Sequence, residues 1–87
     1  MNSTVTNDFL ECFARLPDEV RGRARRAART WQADPSRRGS HFKPVRGHAD
    51  LVSVRVGRRW RALGIFKGDT VTWFWIGSRE EYDGPIA

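Results

Sequence analysis

Leu51-Val52-Ser53-Val54-Arg55-Val56, Gly57-Arg58-Arg59, Trp60-Arg61-Ala62-Leu63-Gly64-Ile65-Phe66, Lys67-Gly68-Asp69 and Val71-Thr72-Trp73-Phe74-Trp75-Ile76 form the stretch that decides the fold. Val52, Val54 and Val56 alternate with Ser53 and Arg55, the period of a strand with one covered face. The runs at 57–59 and 67–69 carry the glycine and polar residues that tight turns require. Three strands in quick succession therefore make an antiparallel meander, and a short strand at 41–45 precedes them. On the last strand Phe74 and Ile76 share one parity and are assigned to the covered face. Trp73 and Trp75 share the other, where they either pack or stack on bases. The same alternation groups Arg61 with Leu63 and Ile65, both expected in the core, so a bulge or strong twist near 57–60 is needed to free Arg61.

Upstream of the strands the period changes to that of a helix. Phe9, Leu10, Phe13 and Leu16 recur at helical spacing, with Thr6, Asn7 or Asp8 available as the cap. Pro17-Asp18-Glu19 suits a first turn, and Val20, Ala24, Ala27, Ala28 and Trp31 then fall on one stripe while Arg21, Arg23, Arg25, Arg26 and Arg29 occupy the remainder. The second helix is expected to stop near Asp34-Pro35, and a polar link over 36–40 leads to the strands. Residues 1–6 are short and polar and give no strand signal. The acidic tail after Gly77 is expected to close with a turn or a fragment of helix. The whole reads as an α+β fold: an N-terminal helical hairpin packed on one face of a small three- to four-stranded antiparallel sheet, in a single domain over 1–87.

Charge is segregated along the chain. Between Arg21 and Arg61 there are 13 Lys or Arg against Asp34 and Asp50, whereas the remainder has 3 basic and 8 acidic residues. A positive field concentrated on the middle of the fold calls for a polyanionic partner. Arginine supplies 14 of the 16 basic residues, and its planar guanidinium pairs bidentately with phosphate and stacks on bases. Cys12 stands alone, so no internal disulfide forms, and His41, His48 and that distant thiol lack metal-site spacing. Neither a metal nor a cofactor is expected, and with no signal segment or long apolar run the expected location is a reducing cytoplasm.

An ordered set of short motifs, Phe42-Lys43-Pro44-Val45, Ser53-Val54-Arg55-Val56-Gly57, Trp60-Arg61-Ala62-Leu63-Gly64 and Trp73-Phe74-Trp75-Ile76-Gly77-Ser78, resembles the RelE/ParE superfamily of toxins from type II toxin-antitoxin systems. Leu16-Pro17 with Val20-Arg21, and the stretch from Trp31 to Pro35, are similar as well. The resemblance implies a helical hairpin on one sheet face and an mRNA-holding basic face on the other. It further implies a metal-independent, ribosome-dependent mRNA endonuclease that inhibits translation until a cognate antitoxin blocks it.

In that reaction a nucleotide's 2′-hydroxyl attacks its own 3′-phosphate, so the enzyme must remove a proton, stabilise a dianionic phosphorane and protonate the departing 5′-oxygen. By resemblance Arg61 is the phosphate-binding arginine at the start of a strand. Arg79 stands where relatives carry arginine or histidine, and Tyr82 is the remaining candidate for acid, base or stacking platform; these three form the catalytic set. Lys43 and Arg55 are the expected substrate-phosphate contacts, and His41, which shares the parity of Lys43, is grouped with them. The motif Ser78-Arg79-Glu80-Glu81-Tyr82 lacks the histidine that many relatives place second, and with it the easiest neutral-pH proton carrier. Two other readings stay open: a ParE-like inhibitor of DNA gyrase, and a non-catalytic RNA- or antitoxin-binding module of the same fold.

Overall fold

The computed structural model describes residues 2–33, 43–45, 47–82 and 84. The elements are β1 (Asn2–Val5), α1 (Asn7–Ala14), α2 (Asp18–Ala33), β2 (Lys43–Pro44), β3 (Leu51–Val56), β4 (Trp60–Lys67) and β5 (Thr70–Ser78), followed by a 3-10 turn at Arg79–Glu81. They form one five-stranded sheet in the order β1-β5-β4-β3-β2. The antiparallel meander and the helical hairpin stand as the residue pattern predicted. The expected end of the second helix at 34–35, the link over 36–40 and the first residues of the 41–45 strand lie outside the described residues.

The sheet gains an edge that the pattern did not show. β1 runs parallel to β5, with Asn2 opposite Thr70 and Val5 opposite Trp73. All four of its residues are exposed, so no burial periodicity marks them as a strand. Backbone and side-chain bonds hold it instead: Asn2 N–H donates to the Asp69 carbonyl at 2.8 Å, and the Trp73 indole donates to Ser3 Oγ at 3.0 Å. Thr6 then ends the strand and starts the helix. Its N–H donates to the Trp73 carbonyl at 2.9 Å while its hydroxyl accepts from Phe9 N–H at 3.1 Å, capping α1.

At the other end of α1, Arg21 folds back from α2. Its guanidinium donates to the carbonyls of Ala14 and Leu16, at 3.3 and 2.9 Å, and pairs with Asp18. Carbonyls left over at a helix end are thereby satisfied by a cation, the favourable sign there. Leu16 and Val20 flank this corner and are buried with Val52, Val54, Val56, Ala62, Val71, Trp73 and Ile76. The principal core thus lies between the hairpin and one sheet face. Beyond Val20, the described α2 residues beside Val54 are the small Ala24, Ala27 and Ala28, and an apolar groove of about 130 Å³ stays open there, bounded also by Val5 and Phe9. Among the described residues no helix is long and apolar enough to cross a membrane.

The assignment of β5 faces requires correction. Leu63 pairs with Trp75 and Gly64 with Trp73, leaving Phe74 without a partner on β4. This bulge switches the parity of β5 midway. Val71 and Trp73 face the helices before it and Ile76 does so after it, so Trp73 belongs to the core and Phe74 does not. Arg61, Leu63 and Ile65 do share a face, but it is the face turned away from the helices, since their neighbours Ala62 and Trp60 pack toward the hairpin. Leu63 is 0% exposed there, set between Ser53 and Trp75 in the ladder. Arg61 therefore needs no bulge of its own to escape the helical core.

Trp73 reaches its position because Gly64 lies opposite. A β-carbon on Gly64 would come within 2.8 Å of both Trp73 Cε3 and Val71 Cγ2, and 3.1 Å from the Thr72 carbonyl oxygen. The backbone atom cannot step aside without breaking the ladder. Gly64→Ala is accordingly expected to destabilise the fold by about 1–3 kcal/mol, the range for overpacking a filled core, read as a lower urea midpoint at unchanged m-value.

Candidate functional site

The second sheet face leads to a basic cleft at one end of the molecule. Because Val54 and Val56 point to the helices, Arg55 between them points away, and the ladder places it directly opposite Arg61. Gly57, at a φ of 75°, lets β3 turn back through Arg58 and Arg59, a conformation that side-chain-bearing residues rarely adopt. At the far end of β5, Ser78 pairs with Trp60 and Gly77 with Arg61. The chain then enters the 3-10 turn, and Arg79 N–H donates to the Arg59 carbonyl at 2.6 Å, fastening this turn to the β3–β4 hairpin. Arg55, Arg58, Arg59, Arg61, Arg79 and Glu80 consequently line one open cleft of about 490 Å³.

Five guanidinium groups around one space repel each other. Arg61 is the most enclosed by function of its place in the ladder, and its pKa falls below the usual arginine value, first through burial and then through the charges of Arg55 and Arg79, with Tyr82 acting in the opposite direction. Its Nη1 donates to the Trp60 carbonyl at 3.0 Å, which fixes the guanidinium over the strand start. Glu81 holds the 3-10 turn from the other side: its carboxylate accepts from Ser78 Oγ at 2.8 Å and from Ser78 N–H at 3.3 Å. Those bonds, side chain first and backbone second, lower the Glu81 pKa.

An aromatic ledge borders the cleft. A β-carbon on Gly77 would lie 2.6 Å from Trp75 Cζ2, so the indole lies across the glycine that pairs with Arg61. The Tyr82 ring packs near Trp75, with centroids 6.3 Å apart and planes at 58°. Trp75, unlike Trp73, therefore sits on the side of the sheet that carries Arg61.

Of the candidates read from the chain, Arg55, Arg61 and Arg79 share the cleft, and Tyr82 stands beside it, electrostatically coupled to Arg61. Lys43 lies on β2 in register with Ser53, two strands from Arg61. His41 lies outside the described residues. Three cleft residues were missed, Arg58, Arg59 and Glu80. The first two were read only as turn residues, and nothing local distinguishes them from any exposed hairpin tip. The pairing of Trp60 with Ser78 is what brings them to Arg79, and a register is a property of two strands together.

A family model for the ParE-like toxin domain matches residues 18–84. The chain belongs to the ParE-like toxin family. The toxin fold extends to solved structures. The chain resembles the RelB-RelE antitoxin-toxin complex from Methanococcus jannaschii at a TM-score of 0.77 and 18% identity, over 97% of this chain and 99% of that one. It resembles the RelBE2 toxin-antitoxin complex from Mycobacterium tuberculosis at 0.73 and 22%, over 90% and 96%. For the YoeB/ParE toxin from Agrobacterium tumefaciens the values are 0.71 and 15%, over 91% and 99%. No curated protein matches the sequence significantly. Family membership places the cleft on a toxin; which chemistry it performs depends on the residues just described.

Two expectations follow from the electrostatics. An anion that settles among the five arginines of this toxin relieves their repulsion, so sulfate at ten times its Kd should stabilise the fold by about 1.4 kcal/mol over a chloride control of equal ionic strength. The increment in Tm should shrink in Arg79→Gln, which in chloride alone should be at least as stable as the parent. Glu81, with a folded pKa below its unfolded value, contributes stability that is present above the usual glutamate range and lost as pH falls through the lowered value. Acid titration followed by tryptophan fluorescence should therefore show a transition near Trp75 that Glu81→Gln lacks.

Proposed function

We propose that residues 1–87 form one toxin domain of a type II toxin-antitoxin pair, and that it acts in the cytoplasm as a metal-independent endoribonuclease on mRNA, on the ribosome. The observation that carries this reading is the convergence of Arg61 and Arg79, from separate parts of the chain, in one arginine cleft beside an aromatic ledge. Phosphate chemistry explains that combination: guanidiniums fit the equatorial oxygens of a phosphorane, and an indole or phenol ring accepts a stacked base.

In this reading Arg61 and Arg79 hold the non-bridging oxygens of the scissile phosphate, with Arg55 alongside. Guanidiniums do not release protons at neutral pH, so the cleft's carboxylate, Glu80, takes the proton from the attacking 2′-hydroxyl. The new 2′-O–P bond forms as the P–O5′ bond breaks, and the departing 5′-oxygen takes a proton from the Tyr82 phenol, which regains it from Glu80 through water. The products are a 2′,3′-cyclic phosphate and a 5′-hydroxyl. Glu80 thereby fills the task that the missing histidine performs in relatives. Lys43 extends substrate-phosphate binding along the sheet, and His41 is grouped with it as a substrate contact.

The antitoxin partner is supported by the solved relatives that are toxin-antitoxin complexes. An acidic segment that also carries small apolar residues would neutralise the arginine cleft and fill the alanine-lined groove. Two observations favour other readings. The matching family model carries the ParE name, which points to gyrase, and Arg79 in place of histidine points to binding without catalysis.

Purified toxin in a cell-free translation system should stop synthesis and leave new RNA ends with 5′-hydroxyls. Arg61→Ala should slow cleavage by about 100-fold or more and Glu80→Gln by about 100-fold, the ordinary worth of one electrostatic stabiliser or one proton acceptor. Inhibition of gyrase supercoiling with mRNA left whole would instead assign the ParE-like activity.

A further inference from the structure

Positive charge continues past the β3–β4 hairpin onto α2. A β-carbon on Gly57 would lie 3.3 Å from Arg23 Nη1 and 3.7 Å from Arg23 Cδ, so the Arg23 side chain rests against the backbone of the turn that carries Arg58 and Arg59. Arg26, three residues further along α2, reaches back over Gly22, its Nη1 3.7 Å from a β-carbon built there. Residues three apart on a helix are neighbours, with β-carbons about 5–6 Å apart. Arg23, Arg26 and Arg29 therefore form a ridge that begins at the hairpin and climbs outward along α2. Arg21 and Arg25 are engaged within the hairpin, Arg21 capping α1 and Arg25 lying 5.3 Å over the Phe13 ring. Of the α2 arginines, Arg21 and Arg25 thus serve the hairpin's own packing, Arg23 touches the Gly57 turn, and Arg26 and Arg29 follow Arg23 at three-residue spacing, both exposed.

The only acidic group on this ridge among the described residues is Glu19, which pairs with Arg23 at 2.7 Å with both side chains well exposed. Such a surface pair contributes little and is screened by salt, so a polyanion displaces it at small cost. Among the described side chains no base-sized aromatic shelf accompanies the ridge, in contrast to the cleft with Trp75 and Tyr82. Evenly spaced cations without aromatic partners suit phosphates alone.

We propose that Arg23, Arg26 and Arg29 bind the sugar-phosphate backbone of single-stranded RNA, the nucleotides flanking the one held in the cleft, so that the strand passes over the Gly57 turn onto α2. This rests on reading the cleft as an RNA site and adds a sequence-independent anchor to it. Binding strength then grows with strand length and carries no base preference along the added segment.

The test compares a trinucleotide with a decanucleotide, both 2′-O-methylated so that no cleavage intrudes, by fluorescence anisotropy across a salt series. In the full chain carrying Arg23→Gln, Arg26→Gln and Arg29→Gln, the decanucleotide's log–log salt slope should flatten by about 2, roughly 0.7 for each of three lost phosphate contacts, while the trinucleotide binds as in the parent. Each single substitution should give about one third of that change. The proposal is overturned if the decanucleotide is unaffected, if the trinucleotide weakens in parallel, or if a duplex RNA of the same length binds more tightly than the single strand and suffers the same loss. Loss of length-dependent binding is read independently of turnover, so a toxin that fails to cleave RNA but shows it would reject the nuclease reading and leave the anchor standing.

Discussion

Phe74 has no partner on β4, and this one unpaired residue determines what each half of β5 presents to the two sides of the sheet. Before it, Val71 and Trp73 face the hairpin; after it, Ile76 does, while Trp75 and Gly77 turn to the other side. Without the bulge either Trp73 would leave the core or Ile76 would, and a chain this short has few large groups to spare. The same switch brings Gly77 opposite Arg61 with the Trp75 indole laid across it. One local irregularity thus supports the core on one face and shapes the site on the other.

The two faces then obey different energetics. The hairpin side is closed by apolar burial and by polar groups that find partners, as at Thr6 and Arg21. The cleft side gathers cations that oppose one another, and the pKa of Arg61 is lowered first by its partial burial and then by that opposition. Such a site is less comfortable empty than filled, which is the electrostatic preorganisation that phosphoryl chemistry exploits. Hydrogen bonds rather than charge pairs hold it in place: Arg79 N–H on the Arg59 carbonyl, and the Ser78 hydroxyl and N–H on the Glu81 carboxylate.

The fold class was legible in the residues because it rests on periodicity. The valines of β3 and the helical recurrence of Phe9, Phe13, Leu16, Val20 and Ala24 each repeat a local rule, and local rules survive in a linear string. β3 was found at its observed limits, and β4 and β5 to within one or two residues. The charge segregation between Arg21 and Arg61 was equally plain. β1 was not legible, because an exposed edge strand held by main-chain bonds to Asp69 and Trp73 leaves no apolar trace.

By itself, then, the chain determined its elements and the direction of its charge, since each depends on neighbours a few positions away, while three of the arginines that meet in the cleft, Arg55, Arg61 and Arg79, were named through the resemblance of its motifs to a family. Only the tertiary structure decided that Trp73 packs inward while Trp75 turns out, that Arg58, Arg59 and Glu80 join Arg61 and Arg79, and that Arg23 rests against Gly57. The physical reason is common to all three. A strand register and a bulge are set by the fit of one strand on another, through contacts such as Trp73 over Gly64, and that fit is not written in either strand alone.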